Sequence, residues 1–213
     1  MSFLGIDLGT SGLRALLVDG AGRPVGSAER HYGVSHPHPG WSEQDPADWI
    51  AAFRGAVADL RAAHPEFAAL RGIGVAGHMH GACVLDRAGE VLRPCILWND
   101  TRSHVQAAAM DADPQFRART GNIVFPGFTA PKLAWMAAEE PDLFARAARI
   151  LLPAAYLNLW LTGEAVGDLS DASGTAWLDT GARDWSDALL EATGLTRAQM
   201  PRLVEGAAEA GRL

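Results

Sequence analysis

The sequence predicts an α/β fold, a mixed β-sheet with flanking helices, on three observations. Residues 3–7, 13–19 and 24–32 read as three consecutive short strands, the first two apolar and the third alternating. A run at helical spacing follows, with Trp49, Ile50, Phe53, Val57 and Leu60 on one face. A further strand at 71–76, "RGIGVA", comes after that helix. A strand meander, then a helix, then a strand is the order of a mixed sheet with helices packed on it.

The elements follow in turn. "GAGRP" separates the second and third strands. The loop "SHPHPGWSEQDP" leads to Asp45, placed to cap the helix, with Pro46 at its first position and Asp48 in its first turn. The strand at 71–76 runs into "GHMHG", and residues 82–86 and 90–97 predict two strands around the turn "DRAGE". From about Thr101 the pattern is mostly helical, with short helices expected at 131–139, 141–149, 154–162 (closed by Gly163) and 185–193. "LSDASGTAWLD" at 169–179 is small and polar, then strand-like. No internal repeat is visible.

Composition narrows the function. The 213 residues are 48% hydrophobic and 20% charged, the profile of a soluble globular protein with a real core. The net charge of −7, with no block of Lys or Arg, argues against nucleic-acid binding. Two cysteines, Cys83 and Cys95, make no disulfide scaffold and point to a reducing, cytoplasmic setting. No run of about 18 apolar residues is present, and no signal peptide is expected, so no membrane role is expected.

The chemistry is concentrated in two stretches. In "GIDLGTSGLRALLVD", a strand carries Asp7 and breaks into Gly9-Thr10-Ser11-Gly12 before the next strand. Glycines let such a turn approach a ligand closely, its N–H groups form an anion-binding nest, and the Thr10 and Ser11 hydroxyls add donors. A carboxylate at Asp7 suits Mg²⁺ held through water. A plain hairpin with a solvated acid fits the spacing as well, and the turn is not a Walker A loop. In "GHMHG", His78 and His80 have a His-x-His spacing that some zinc sites use, but no other residue stands at metal-site spacing. A neutral imidazole at His80 and a thioether at Met79 equally suit a polyol. A loop of surface histidines is the bland reading. In "WNDTR", Asp100 and Arg102 can pair at a strand end, and Trp41 can stack on a sugar face or pack over its own loop.

These stretches carry a resemblance. "GIDLGTSGLRALLVD" resembles the first phosphate-binding hairpin of the actin-like ATPases. With "HPHPGWSEQDPADW", "GVAGHMHGACVLD", "LRPCILWNDTR", "TGNIVFPGFTAPKLAWM", "LLPAAYLNLWLTGE" and "DLSDASGTAWLD", in that order, the chain is similar to the FGGY carbohydrate kinases. The motifs "MHG", "WNDTR" and "PGFTAPK" are similar to those of members that phosphorylate D-xylulose with ATP. The resemblance implies an actin-like (ribonuclease H-like) fold, with residues 1–213 as the N-terminal sugar-binding domain. It implies ATP and Mg²⁺ as cofactors and D-xylulose or a similar ketose as substrate, and it admits a homodimer. Asp7 would position Mg²⁺ and phosphate, and Gly9, Thr10 and Ser11 would bind phosphate. Met79, His80, Asp100, Arg102 and Trp41 would serve the sugar side. "SDASGT" would be a structural turn beneath the site, with Asp171 a minor polar contact. His78 stands where the family more often has glutamine. The family's aspartate base lies in a "GGGDNAA"-like motif that residues 1–213 do not contain, so the chain reads as a truncated first domain. A related kinase for another pentulose, polyol or glycerol, and a non-catalytic actin-like interaction module, are the competing expectations.

Overall fold

A computed structural model describes all residues, 1–213. They form two compact units, Met1–Val34 with Asp45–His78, and Ser35–Gln44 with Met79–Leu213. No helix is long and apolar enough to cross a membrane.

In the first unit, β1 (Ser2–Leu8), β2 (Gly12–Asp19) and β3 (Pro24–His31) make the expected antiparallel meander. The strand Leu70–Gly77 joins the other side of β1 in parallel, so the four-stranded sheet is mixed. β1 alternates buried and exposed residues without a break, because successive side chains of a strand point to opposite faces. Leu4, Ile6, Leu8, Leu13, Ala15 and Leu17 are buried with α1 (Pro46–Ala63). The helix begins as its sequence implies: the Asp45 carboxylate accepts from the Ala47 N–H at 2.9 Å, with Pro46 at the start and Asp48 in the first turn. Trp49, Phe53, Ala56 and Leu60 form its buried stripe. Val57 is only half buried. At about 100° per residue, Ala56 falls nearer the line through Trp49, Phe53 and Leu60, and Val57 stands farther round on the flank. Each large buried side chain is worth about 1.5–3 kcal/mol.

The second unit is less regular. The strand Cys83–Leu85 pairs antiparallel with Arg149–Leu151, and Glu43–Gln44 pairs with Cys95–Ile96. Around these lie α2 (His104–Ala112), α3 (Pro114–Thr120), α4 (Thr129–Glu139), α5 (Pro141–Arg146) and α6 (Pro153–Thr162). Their shared core includes Phe116, Phe128, Leu133, Met136, Trp177, Leu189 and Leu190. Trp177 is satisfied by donating its indole N–H to Thr193 Oγ1 at 2.9 Å.

Three expectations need correction. The strand at 90–97 shrinks to a bridge at Val91 and the pair Cys95–Ile96. Pro94, which has no N–H to give a ladder, lies between the two pieces. The helix expected over 141–149 ends at Arg146, because Ile150 and Leu151 are buried as ladder partners of the Cys83–Leu85 strand. The one expected over 185–193 covers only Asp187–Glu191, with Ser186 as its cap and Trp185 drawn into a short ladder with Leu178. The helix at 154–162 is present as Pro153–Thr162 and closes on Gly163 at φ +77°.

Candidate functional site

In the first unit, the reversal between β1 and β2 is tight. The Gly9 N–H donates to the Gly12 carbonyl at 3.0 Å. Gly12 must be glycine, since a Cβ there would lie 2.6 Å from the Arg30 carbonyl oxygen. Thr10 and Ser11 sit at the tip. Asp7 lies one residue inside the end of β1, opposite Arg14 in β2 and Ala76 in the parallel strand. Its carboxylate is exposed and engaged in no ion pair. Tyr32, which sequence reading passed over, braces the turn from behind by donating its hydroxyl to the Gly9 carbonyl at 2.6 Å. Burial, and then the charge of Asp7, push its phenol above the usual range.

In the second unit, the loop after the parallel strand presents Met79, 47% exposed, and His80, half-buried. His80 takes a left-handed backbone, φ +63°, which side chains other than glycine rarely adopt. Its ring packs on Phe128 and Phe125 at 4.8 and 6.1 Å between centroids. Gly174, in the "SDASGT" turn, lies flat against the imidazole: a Cβ at 174 would fall 2.3 Å from His80 Cε1. Burial, then the ammonium of Lys132, lower the His80 pKa to about 4, so the ring is neutral at pH 7. Its Nδ1 is buried against the Gly174 backbone. Lys132, fully buried in the first turn of α4, donates to the His80 and Gly127 carbonyls, both at 2.7 Å.

Asp100 and Arg102 do pair, and both are buried. Asp100 Oδ1 accepts from the Arg102 N–H and Nε at 2.9 Å, and Oδ2 accepts from Arg102 Nη2 at 2.7 Å and the Ser42 N–H at 2.6 Å. Arg102 Nη2 also meets Glu43 Oε1 at 2.7 Å, and Arg93 bridges Glu43 to Glu140. The Arg102 guanidinium lies 3.6 Å over the Trp41 ring and 5.0 Å from Trp135, which crosses Trp41 edge-on at 5.2 Å. Trp41 therefore has one face covered by Arg102. With His36, His38, Ser42 and Asn99 it lines a cavity of about 520 Å³.

The structure thus gathers Met79 and His80 with Gly174, Phe125 and Lys132, and separately ties Trp41 to Asp100 and Arg102. His78 is buried and its ring meets Trp49 edge-on at 5.3 Å. No group of three or more His, Cys, Asp or Glu side chains could hold a metal ion, which removes the structural support for a zinc centre at His78 and His80. Sequence reading also missed Lys132, Glu43 and Arg93. Lys132 lies inside the quoted "PGFTAPK", but nothing in the letters signals a buried lysine. Asp171, half-buried, has its pKa raised to about 7 by burial and then by the charge of Asp168, the cap of its short helix.

Comparison with known proteins aligns with this architecture. Residues 2–213 match the model of the FGGY family of carbohydrate kinases, N-terminal domain. The chain is 47% identical over 212 residues to the xylulose kinase of Escherichia coli K12, covering 99% of this chain and 44% of that protein. Its fold superposes on a solved "xyloylose kinase" from Brucella ovis with a TM-score of 0.98 at 64% identity, over 99% of this chain and 45% of the other. The solved xylulose kinase of Rhodospirillum rubrum gives 0.90 at 32% identity, over 96% and 43%. The chain therefore spans a little under half the length of the relatives it matches. The fold is the expected α/β actin-like ATPase fold, shared with these sugar kinases.

Proposed function

The chain belongs to the FGGY family of carbohydrate kinases, and on that premise we propose that residues 1–213 act as one N-terminal, sugar-binding domain of an ATP-dependent kinase converting D-xylulose to D-xylulose 5-phosphate. The similarity to xylulose kinases supports the choice of ketose. One observation carries the site: Met79 is exposed and His80 is neutral at pH 7, on a loop whose backbone is held from beneath by Lys132. A neutral imidazole both donates and accepts, which is what a row of sugar hydroxyls requires, and a thioether gives an adaptable apolar wall. Asp100 and Arg102 spend their polar atoms chiefly on each other, Ser42 and Glu43. We assign them, with Trp41, the support of the "WND" loop.

On the phosphate side, the Gly9–Gly12 turn with the Thr10 and Ser11 hydroxyls forms a nest for terminal phosphates. An exposed carboxylate with no ion pair, beside such a nest, is a donor that fits a hard cation, so Asp7 would hold Mg²⁺. Bound Mg²⁺ would neutralise charge on the transferring phosphoryl group. The work of this chain's residues is positioning: the turn fixes the phosphates, and His80 and Met79 fix the sugar hydroxyl. The aspartate base is assigned to the "GGGDNAA"-like motif outside these residues. Both cysteines are free and buried, which accords with a cytoplasmic setting.

The test is calorimetry of the 213-residue chain against D-xylulose, D-ribulose and glycerol. D-xylulose is expected to bind most tightly. His80→Ala should weaken it about tenfold or more, since one hydrogen bond is lost and its partner left dry. His78→Gln should be mild. Equal losses in both variants, with bound zinc leaving, would overturn the assignment. The chain alone is expected to show no turnover of D-xylulose with ATP, and turnover in protein free of host kinases would contradict the placement of the base.

A further inference from the structure

We propose that Lys132 is the positioning residue of the sugar loop: its Nζ clamps the carbonyls of His80 and Gly127 and thereby fixes where Met79 and His80 stand. This rests on the sugar-binding reading above. Lysine is among the residues least often fully buried, and an apolar side chain of the same length would fill the slot without the cost of desolvating an amine. Yet Lys132 is 0% exposed, with two backbone acceptors at 2.7 Å. A second donor adds a third contact: Thr129 Oγ1 lies 3.2 Å from the His80 carbonyl. Two of the three contacts thus go to the one residue of the loop with a left-handed backbone. A strained conformation persists only when its surroundings over-determine it, and these donors are what over-determines this one.

The same clamp reaches the second wall of the loop. Gly127 follows Phe125 and precedes Phe128, the two rings that flank His80. One side chain therefore holds His80 by its backbone and holds the segment that packs against its ring. The charged and titratable groups around Nζ are Asp100, Arg102, the thiols of Cys83 and Cys95, and His80 itself. Burial brings the Lys132 amine down to about 7, and its charge is one of the two causes that keep His80 neutral. Lys132 consequently acts on the sugar through His80 in two ways, by geometry and by protonation.

The experiment compares the wild-type chain with Lys132→Met, which keeps the length and removes the donors. Three quantities are read: amide hydrogen exchange over residues 79–81 and 127–128, the His80 pKa by NMR, and D-xylulose affinity. The expected result is faster exchange confined to those segments, by about tenfold or more, a His80 pKa that rises towards 6.5, and D-xylulose binding weakened by about tenfold. A purely structural lysine would loosen the whole unit, with exchange rising across α4 and its surroundings as much as at residues 79–81. Unchanged exchange at 79–81 together with an unchanged His80 pKa overturns the proposal. If the loop loosens and His80 shifts, but even the wild-type chain shows no saturable ketose binding, the clamp stands and the sugar reading fails. Should Lys132→Met not fold, Thr129→Val tests the same carbonyl, and the wild-type titration remains decisive: a His80 pKa near 6.5 refutes a cation held beneath a buried ring.

Discussion

The two units hold their functional residues in different ways. In the first, Asp7 and the Gly9–Gly12 turn are placed by backbone regularity: a strand, its reversal and a parallel neighbour that holds its register from Phe3 to Leu8. Asp7 and Ser11 are exposed there, and Asp7 engages in no ion pair. In the second, Met79, His80 and Trp41 ride on irregular segments held by buried charge: Lys132 under the loop, and Arg102 between Asp100, Glu43 and two indoles. A ladder spreads the job of positioning over many equal hydrogen bonds. A buried ion concentrates it in one residue. Substitutions of the exposed charged side chains of the first unit should therefore be nearly silent for folding, and those of the buried ions of the second severe.

The largest expected effect is Arg102→Ala. It leaves Asp100 and Glu43 as buried carboxylates without their shared cation, and removing one member of such a set costs about 3–5 kcal/mol. The matching change in the first unit is Arg14→Ala, which breaks the Arg14–Glu29 pair, whose side chains are 62% and 47% exposed. Exposed pairs are worth about 0–1 kcal/mol. Urea unfolding of both variants gives the contrast directly, and comparable losses would break it.

Next comes Gly174→Ala. The added Cβ meets the His80 ring well inside contact distance, so the imidazole must swing or the turn must shift. Overpacking of this kind costs about 1–3 kcal/mol. D-xylulose affinity should fall with it, because the displaced group is the proposed sugar ligand. Lost stability with unchanged sugar affinity would separate His80 from the sugar.

What could be read from the letters follows the same division. The meander, α1 and its Asp45 cap were legible because local alternation, helical spacing and capping chemistry decide them. The Gly9–Gly12 turn was legible for the same reason. The second unit was legible only in fragments. Pro94 was visible, but its effect on the 90–97 strand depended on which neighbour that strand had to pair with. Arg149 read as the end of a helix until the Cys83–Leu85 strand claimed it as a ladder partner. Asp100 and Arg102 could be paired by their spacing, yet Glu43, remote in sequence, is what makes the pair a network. Lys132 is the extreme case: its role depends entirely on burial, and lysine is the last residue one expects to find buried.

A smaller effect is expected from pH, and here two groups of the second unit oppose each other. His80 titrates at about 4 in the folded chain, below its usual 6.5. Between those values the unfolded chain binds a proton that the folded chain refuses, so this contribution to stability is lost as pH falls from 6.5 towards 4. Asp171 is raised from 3.8 to about 7. There the folded chain holds the extra proton, and its contribution is present below 3.8 and lost as pH rises towards 7. The wild-type stability curve should be comparatively flat between pH 4.5 and 6.5 on account of these two groups. Asp171→Asn should uncover a curve that falls towards acid, and His80→Asn one that falls towards neutral, in chemical denaturation across about two pH units. Slopes of the same sign in the two variants would show that one of these environments is misassigned.

The smallest effect on folding is expected where the chemistry of the first unit is concentrated. Asp7→Asn keeps shape and strand position and removes only charge. Asp7 is exposed, engages in no ion pair and takes no part in the core, so the unfolding free energy should move by no more than about 0.5 kcal/mol. Its charge still has a local witness. Tyr32 is pushed upward by burial first and by Asp7 second, so in Asp7→Asn its phenol should titrate lower by ultraviolet absorbance while remaining above its ordinary value. Binding of Mg²⁺ with ATP by the chain should weaken at the same time, because the hard oxygen donor beside the Gly9–Gly12 nest has lost its charge. The three readouts separate two meanings of this carboxylate. If folding holds, Tyr32 shifts and the metal–nucleotide complex is lost, Asp7 serves ligand and not structure. If stability drops by several kcal/mol, the first unit leans on a single charge after all, and its contrast with the buried network around Arg102 disappears.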